Sequence, residues 1–187
     1  PEQRVPAGVV GCELDQAVRR AADQTVVERR MPHVADHQQI ESVALDELDV
    51  LYDAGQRALW TFMHPTGRPS FTPPMLSDFE NWQQLIVQGF GPGKVSLDYL
   101  ILGSRAPGVF CFGGDLQLFA DLIRTGNRDG LVVYGNRCID ILHRNIHALD
   151  LPMLTVGLVQ GQALGGGFEA LLSFDFLIAE RGSTFGL

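Results

Sequence analysis

The sequence predicts an α/β fold, and three observations carry that prediction. Short apolar segments typical of buried strands alternate with segments of helical apolar spacing across the second half of the chain. The connections between them are short, as in strand–helix–strand crossover units. A strand-like alternation of apolar and polar residues precedes this part, over residues 42–62. We therefore expect one core in which helices cover a largely buried sheet.

Residues 1–40 are predicted to form a helical N-terminal extension, and residues 41–187 the core. Between Gly11 and Met31, apolar residues follow a weak helical pattern among arginines and glutamates. Because this apolar stripe is thin, the helix is expected at the periphery or against a partner. A chain of 187 residues with 45% hydrophobic composition has room for one substantial core.

The first element expected in the core is a β-hairpin. Apolar residues alternate over 43–52 and 58–62, and the glycine-containing segment 53–56 between them predicts a turn. A proline-rich loop over 64–74 follows, and its last two prolines are typical of a helix start. That helix is predicted to end at the glycine-rich break over 89–93.

Strands and helices alternate in the rest of the chain. Short apolar runs indicate strands, and apolar residues three or four positions apart indicate helices. Glycine-rich loops separate several of these elements. In chain order we expect a strand over 99–102, a helix from near Asp115, a helix over 131–148, a strand over 153–159, a helix after Gly167 and a strand over 174–179.

Composition excludes several classes of function. Fourteen Lys and Arg residues against 22 Asp and Glu give a net charge of −8, so nucleic acid is not an expected partner. Cys12, Cys111 and Cys138 are too widely spaced for a disulfide framework or a zinc site. His143 and His147 lack the pattern of a metal-binding pair, so no metal site is expected. Without a signal peptide or a long apolar run, the chain is predicted to be cytoplasmic, with no membrane span.

Two glycine-rich loops carry the main signals for chemistry. Residues 110–116 and the triple glycine Gly165–Gly167 each follow an apolar strand and precede a helix. Such loops present free amide hydrogens where the helix dipole favours negative charge. If the loops face one another, one amide from each could bind the same oxygen as an oxyanion hole. Taken singly, either loop could be no more than a tight strand-to-helix turn.

Side chains near these loops have competing interpretations. Glu169, on the first predicted turn after the triple glycine, could be a partly buried general acid or base, or could complement a helix N-terminus. Asp115 is interpreted as a helix N-cap rather than a catalytic group. Cys111 is expected to contribute its backbone amide rather than a nucleophilic thiol. Four aromatic residues could line an acyl pocket, with core packing as the default interpretation: Phe71, Trp82, Phe110 and Phe112.

The two loop segments resemble the signature segments of the enoyl-CoA hydratase/isomerase, or crotonase, superfamily. The resemblance rests on residues 110–116, 159–180 and 183–186, and extends over about 42–187. It implies a crotonase-like ββα spiral, a homotrimer or hexamer, and a lyase that dehydrates 3-hydroxyacyl thioesters or hydrates enoyl thioesters with two glutamates. It implies no metal or redox cofactor, because the acyl-CoA or acyl-carrier-protein (acyl-ACP) thioester activates the substrate.

The same resemblance assigns residues to roles. The oxyanion amides fall on Cys111 and Gly166, and Glu169 matches the first catalytic glutamate. The second catalytic glutamate and the C-terminal helices of the family would lie beyond Leu187, so we expect these residues to be an incomplete view of a longer protein. The neighbours of the two amides are expected to contact substrate: Phe112, Gly113, Gly114 and Gly165.

A closer resemblance is to bacterial diffusible-signal-factor synthases, a crotonase branch that makes cis-2-unsaturated fatty acids for quorum sensing. It rests on residues 111–119, 122–128, 134–138 and 159–170. In that branch the substrate is carried on acyl carrier protein, and the same site cleaves the thioester. Two alternatives stay open: an ordinary enoyl-CoA hydratase or isomerase of fatty-acid degradation, and a non-catalytic acyl-binding or regulatory homologue.

Overall fold

The computed structural model describes residues 45–187, so the predicted extension and its helix lie outside the described residues. The described part begins with an antiparallel hairpin of β1 (Leu48–Asp53) and β2 (Ala58–Met63). Its turn is held by Oδ1 of Asp53, which accepts hydrogen bonds from the amides of Gly55 at 2.9 Å and Gln56 at 3.1 Å. The predicted hairpin is therefore confirmed.

After the hairpin, helices alternate with pairs of strands, and every helix and strand predicted for this part of the chain is present. Among the described residues, no helix is both long and apolar enough to cross a membrane. The remaining elements are α1 (Pro73–Gly89), β3 (Tyr99–Ser104), β4 (Val109–Cys111), α2 (Leu116–Arg124), α3 (Arg128–Ile146), β5 (Leu154–Val159), β6 (Gln162–Leu164), α4 (Gly166–Leu171), β7 (Phe176–Ala179) and β8 (Thr184–Gly186).

The strands form two sheets. The larger has the order β1-β2-β3-β5-β7 and is parallel except for the hairpin pair. The smaller has the order β4-β6-β8 and is parallel throughout. Both sheets and their helical connections confirm the predicted α/β class. The sequence pattern does not predict the smaller sheet, because strands of three residues are too short to show a periodicity.

Helix α1 supplies much of the core on the larger sheet. Thr72 caps it, with Oγ1 accepting from the amide of Met75 at 3.3 Å, and Pro73 follows at the first helical position. Trp82 is 2% exposed and packs edge-on against Phe79, with ring centroids 5.8 Å apart. Trp82 therefore belongs to the core, as its default interpretation holds.

Helix α3 starts earlier and ends earlier than predicted. It begins at Arg128 because Asn127 caps it, Oδ1 accepting from the amide of Gly130 at 2.9 Å. It ends at Ile146 because the following turn, Ala148–Asp150, has left-handed φ values of 48°, 54° and 57°. Each such residue costs about 1–2 kcal/mol when it is not glycine. The turn nevertheless buries the Leu149 side chain in the core.

Candidate active site

The two glycine-rich loops leave the same edge of the smaller sheet. Strands β4 and β6 are parallel neighbours, with Val109 opposite Gln162 and Cys111 opposite Ala163. Because parallel strands end at a common edge, the segments that follow them emerge side by side. The first loop runs from Cys111 to the start of α2, and the second turns through Gly165 into α4. The sheet thus brings together residues far apart in sequence.

Main-chain atoms of the two loops are in direct contact. Gly113 has φ +83°, and a Cβ built on it would lie 2.5 Å from the amide nitrogen of Gly166 and 2.9 Å from that of Gly167. A Cβ on Gly167 would overlap the carbonyl oxygen of Cys111. No residue with a Cβ fits at either position without moving backbone. The loops therefore face one another, which is the condition the oxyanion-hole hypothesis sets.

The side chain of Cys111 is buried in the core, and its thiol is not suited to act as a nucleophile. It is 2% exposed, and burial raises the pKa of its thiol to about 12. Its Sγ accepts a hydrogen bond from the amide of Gly113 at 3.3 Å. A thiol with this pKa stays protonated at neutral pH, so it lacks the reactive thiolate form. This supports the expectation that the backbone of Cys111, and not its side chain, has the functional role.

Glu169 lies beside the second loop. It is on the first turn of α4, where its amide donates to the carbonyl of Gly165 at 3.1 Å. Its Oε2 is 3.8 Å from the position of a Cβ built on Gly166. The expectation that Glu169 is partly buried is wrong, because the side chain is exposed on the opposite side of α4 from its core-facing residues. Those core-facing residues are Gly167, Ala170 and Leu171.

The segment before α1 supports the first glycine loop from behind. The amide of Phe112 donates to the carbonyl of Pro69 at 2.7 Å, and the amide of Phe71 donates to the carbonyl of Gly113 at 2.8 Å. Phe71 also forms an isolated parallel bridge with Gly114. The ring of Phe71 packs edge-on against Phe79 at 6.1 Å. The first loop is thus held on one side by this segment and on the other by Gly166 and Gly167.

Asp115 and Tyr134 complete this support. Oδ1 of Asp115 accepts from the amide of Leu118 at 3.1 Å, which confirms its interpretation as the N-cap of α2. The hydroxyl of Tyr134 accepts from the amide of Asp115 at 3.1 Å and donates to the carbonyl of Phe71 at 2.6 Å. The sequence pattern alone predicts no role for Tyr134. The signal in the sequence is an aromatic residue with a polar tip, placed where the apolar run Leu131–Val133 gives way to Gly135 and Asn136.

The predicted substrate-contacting residues surround this contact. Phe112 is half-buried, and the guanidinium of Arg68 lies 5.6 Å from its ring centroid. Gly114 packs near Phe119, whose ring would be 3.2 Å from a Cβ built on the glycine. Gly165 donates its amide to the carbonyl of Gly186 in β8 at 2.7 Å. Phe110, by contrast, is 1% exposed and belongs to the core.

Histidines do not contribute a metal site in this part of the chain. Over residues 45–187, no three His, Cys, Asp or Glu side chains are grouped as metal ligands would be. His143 and His147 stack edge to face at 4.7 Å on exposed positions around the end of α3. This pair therefore lacks a third ligand among the described residues.

The sequence matches one family model and several known proteins. A sequence model described as enoyl-CoA hydratase/isomerase matches residues 94–187, about half of the chain. Ethylmalonyl-CoA decarboxylase of Xenopus laevis is 30% identical over 127 residues, covering 64% of this chain and 36% of that protein. The fatty acid oxidation complex subunit alpha of Idiomarina loihiensis is 37% identical over 91 residues, covering 46% of this chain and 11% of that protein.

Solved structures share the fold. The structure of DspI from Pseudomonas aeruginosa superposes with a TM-score of 0.63 at 19% identity, covering 78% of this chain and 55% of that one. An enoyl-CoA hydratase from Shewanella pealeana superposes with a TM-score of 0.64 at 18% identity, covering 80% of this chain and 53% of that one. Identities this low show the fold alone, and they confirm the crotonase-like α/β architecture. The chain spans little more than a third of the Xenopus relative, at 36%. On the family match over residues 94–187, this chain belongs to the enoyl-CoA hydratase/isomerase family.

Proposed function

We propose that this chain carries the thioester-binding part of a crotonase-type lyase that acts on fatty acyl thioesters. The observation that carries the proposal is the contact between Gly113 and the amides of Gly166 and Gly167. Two loops that meet through main-chain atoms can aim amide hydrogens at one point, which is what an oxyanion hole requires. The amides of Cys111 and Gly166 are the proposed donors to the thioester oxygen.

The chemistry follows from negative charge on that oxygen. When the proton at C2 of a 3-hydroxyacyl thioester is removed, the electrons move onto the thioester oxygen as an enolate. Preorganised amides stabilise this charge more strongly than the neutral carbonyl, so they lower the barrier. The hydroxyl at C3 then leaves with a proton as water, and hydration is the reverse. Neither step needs a metal or redox cofactor.

Glu169 is the proposed proton-transfer group. Its carboxylate lies close to Gly166, so a bound thioester oxygen at that amide would bring C2 and C3 near Oε2. A second acid–base group is needed for a full dehydration, and by resemblance it would lie beyond Leu187. We propose homotrimers or hexamers on the same ground.

A finer proposal is that the enzyme also hydrolyses the thioester and releases a cis-2-unsaturated fatty acid. It rests on the resemblance of residues 111–119, 122–128 and 134–138 to the signal-synthase branch. The second candidate is an ordinary enoyl-CoA hydratase of fatty-acid degradation. The relative named as a fatty acid oxidation complex subunit, 37% identical over 91 residues, favours that candidate.

The test is to incubate the full-length protein with a 3-hydroxyacyl-ACP and, separately, with an enoyl-CoA, and to identify products by mass spectrometry. A free unsaturated acid supports the signal-synthase proposal, and a hydrated CoA ester supports the hydratase. Absence of turnover with both substrates would reject both in favour of a non-catalytic acyl-binding protein.

The matched variants are Glu169→Gln and Glu180→Gln. Both replace an exposed carboxylate by a neutral isostere, but only Glu169 lies at the glycine loops. We expect turnover to fall by about 10²-fold or more for Glu169→Gln, as for the loss of a general acid or base, and to stay near wild type for Glu180→Gln. Equal activity of the two variants would remove Glu169 from the mechanism.

A further inference from the structure

We infer that Tyr134 is a positioning residue that fixes the first glycine loop in the geometry needed to stabilise an enolate. This inference rests on the proposed function, because it assigns the loop's rigidity to the oxyanion donor at Cys111. Tyr134 does not touch the proposed substrate position itself. It acts through the backbone of the loop that carries the donor.

The hydrogen bonds of Tyr134 join two separate segments. Its hydroxyl donates to the carbonyl of Phe71 at 2.6 Å and accepts from the amide of Asp115 at 3.1 Å. Asp115 ends the glycine loop, and Phe71 bonds the middle of the same loop through Gly113 at 2.8 Å. One hydroxyl therefore closes a ring of hydrogen bonds through Phe71, Gly113 and Asp115.

The hydroxyl is well suited to this task. Burial raises the pKa of Tyr134, so the proton it donates to Phe71 is retained at any pH at which the protein would work. The aromatic ring of Tyr134 is held by an edge-to-face contact with Phe119 of α2, with centroids 5.1 Å apart and an interplanar angle of 89°. A Cβ built on Gly114 would lie 3.7 Å from the hydroxyl oxygen, so the loop backbone runs directly past it.

The segment that holds Phe71 is anchored in turn by a buried carboxylate. Glu47 is 5% exposed, and its side chain accepts from the hydroxyls of Thr66 at 2.7 Å and Thr72 at 3.2 Å. The amide of Glu47 donates to Oδ2 of buried Asp78 at 2.6 Å. The backbone at Phe71 is thus anchored, and the Tyr134 hydroxyl links it to Asp115 at the start of α2. Loss of the hydroxyl would free the end of the loop without removing any proposed catalytic group.

The experiment compares Tyr134→Phe with Tyr52→Phe in the full-length protein. Tyr52 is a matched control, because its hydroxyl also donates to a backbone carbonyl, that of Ser96 at 2.7 Å, and its ring also packs on a phenylalanine, Phe90 at 5.1 Å. The probe is a short 3-ketoacyl-CoA such as acetoacetyl-CoA. Its C2 proton ionises to give an enolate whose ultraviolet absorbance reports charge on the thioester oxygen.

For Tyr134→Phe we expect the apparent pKa of the bound 3-ketoacyl-CoA to rise by about one unit, a tenfold loss of enolate preference. Lyase turnover should show kcat lower by roughly 10- to 100-fold with KM changed little, because a misplaced donor weakens the transition state more than the ground state. Tyr52→Phe should match wild type in both assays. A merely structural role for Tyr134 would lower thermal stability without this split or this shift.

The outcomes separate the inference from the proposed function. Enolate binding by wild type without turnover would reject the lyase reaction, while a shift in Tyr134→Phe would still support the inference. If a folded Tyr134→Phe variant has the same kcat and the same apparent pKa of bound 3-ketoacyl-CoA as wild type, the inference is overturned. Absence of any enolate signal in wild type would also overturn it. If the phenylalanine variant does not fold, 3-fluorotyrosine at position 134 keeps the hydroxyl but weakens it as an acceptor, and a smaller shift of the same sign is expected.

Discussion

Replacement of Gly113 by alanine should disrupt the contact between the two glycine loops. Two costs add at this position. At φ +83° an alanine is in the left-handed region, which costs about 1–2 kcal/mol. Its Cβ would also lie 2.5 Å from the amide nitrogen of Gly166, and backbone on that side cannot rotate away, so overpacking adds about 1–3 kcal/mol. We expect the free energy of unfolding to fall by about 2–5 kcal/mol.

Gly93→Ala is the matched control. Gly93 has φ +77°, nearly the same backbone conformation, but nothing lies within 4 Å of a Cβ built on it. It should therefore lose only the conformational part, about 1–2 kcal/mol. The difference between the two variants isolates the contact with Gly166 and Gly167.

The assay is urea unfolding followed by circular dichroism on both variants and wild type. Binding of a 3-ketoacyl-CoA, measured on folded Gly113→Ala, should be weaker than on Gly93→Ala because the second loop is displaced. If the two variants lose the same stability within about 0.5 kcal/mol, the main-chain contact between the loops is refuted.

Two further predictions concern helix α3 and the buried thiol. Gly135→Ala should raise the free energy of unfolding by about 1 kcal/mol, because this glycine lies within α3 with open space around a Cβ. Gly130→Ala should raise it less, since its Cβ would lie 2.8 Å from the side chain of Leu122. Thermal melts of both variants would decide this, and a larger gain for Gly130→Ala would contradict it. The pKa of Cys111 is raised from 9.0 to about 12, so in this pH range the unfolded chain releases a proton that the folded chain keeps. The stability that this group contributes is therefore present below pH 9 and is lost as the pH rises toward 12. Measured across this range, the free energy of unfolding should decline less steeply with pH for Cys111→Ala than for wild type. An identical slope would count against the buried, protonated thiol.

The elements that the sequence predicts are those determined by neighbouring residues. The turn at Asp53 and the helix starts at Thr72 and Asp115 depend on a side chain that bonds an amide two or three residues away. Signals of this kind lie within a few positions of one another. They can be recognised without knowledge of the conformation of the rest of the chain.

Features that depend on distant residues were harder to predict. Strand β4 exists because it pairs with β6, and that pairing joins Cys111 to Ala163. The exposure of Glu169 depends on which side of a short helix packs on the core. The end of α3 is set by the left-handed turn that starts at Ala148, a conformation that non-glycine residues do not favour. Packing of Leu149 in the core offsets the conformational cost of this turn. The sequence predicts the pairing of the two loops only as a condition for an oxyanion hole, and the contact at Gly113 meets that condition.

The contact between the loops is made by main-chain atoms on both sides. Every amino acid except proline has the same backbone N–H, so any other substitution at Cys111 changes the side chain behind the loop without deleting the amide that the loop presents. Side chains such as Phe112 can therefore change while the geometry of the backbone amides is kept. At Gly113 and Gly167 no such change is tolerated, because any added Cβ would meet backbone of the opposite loop.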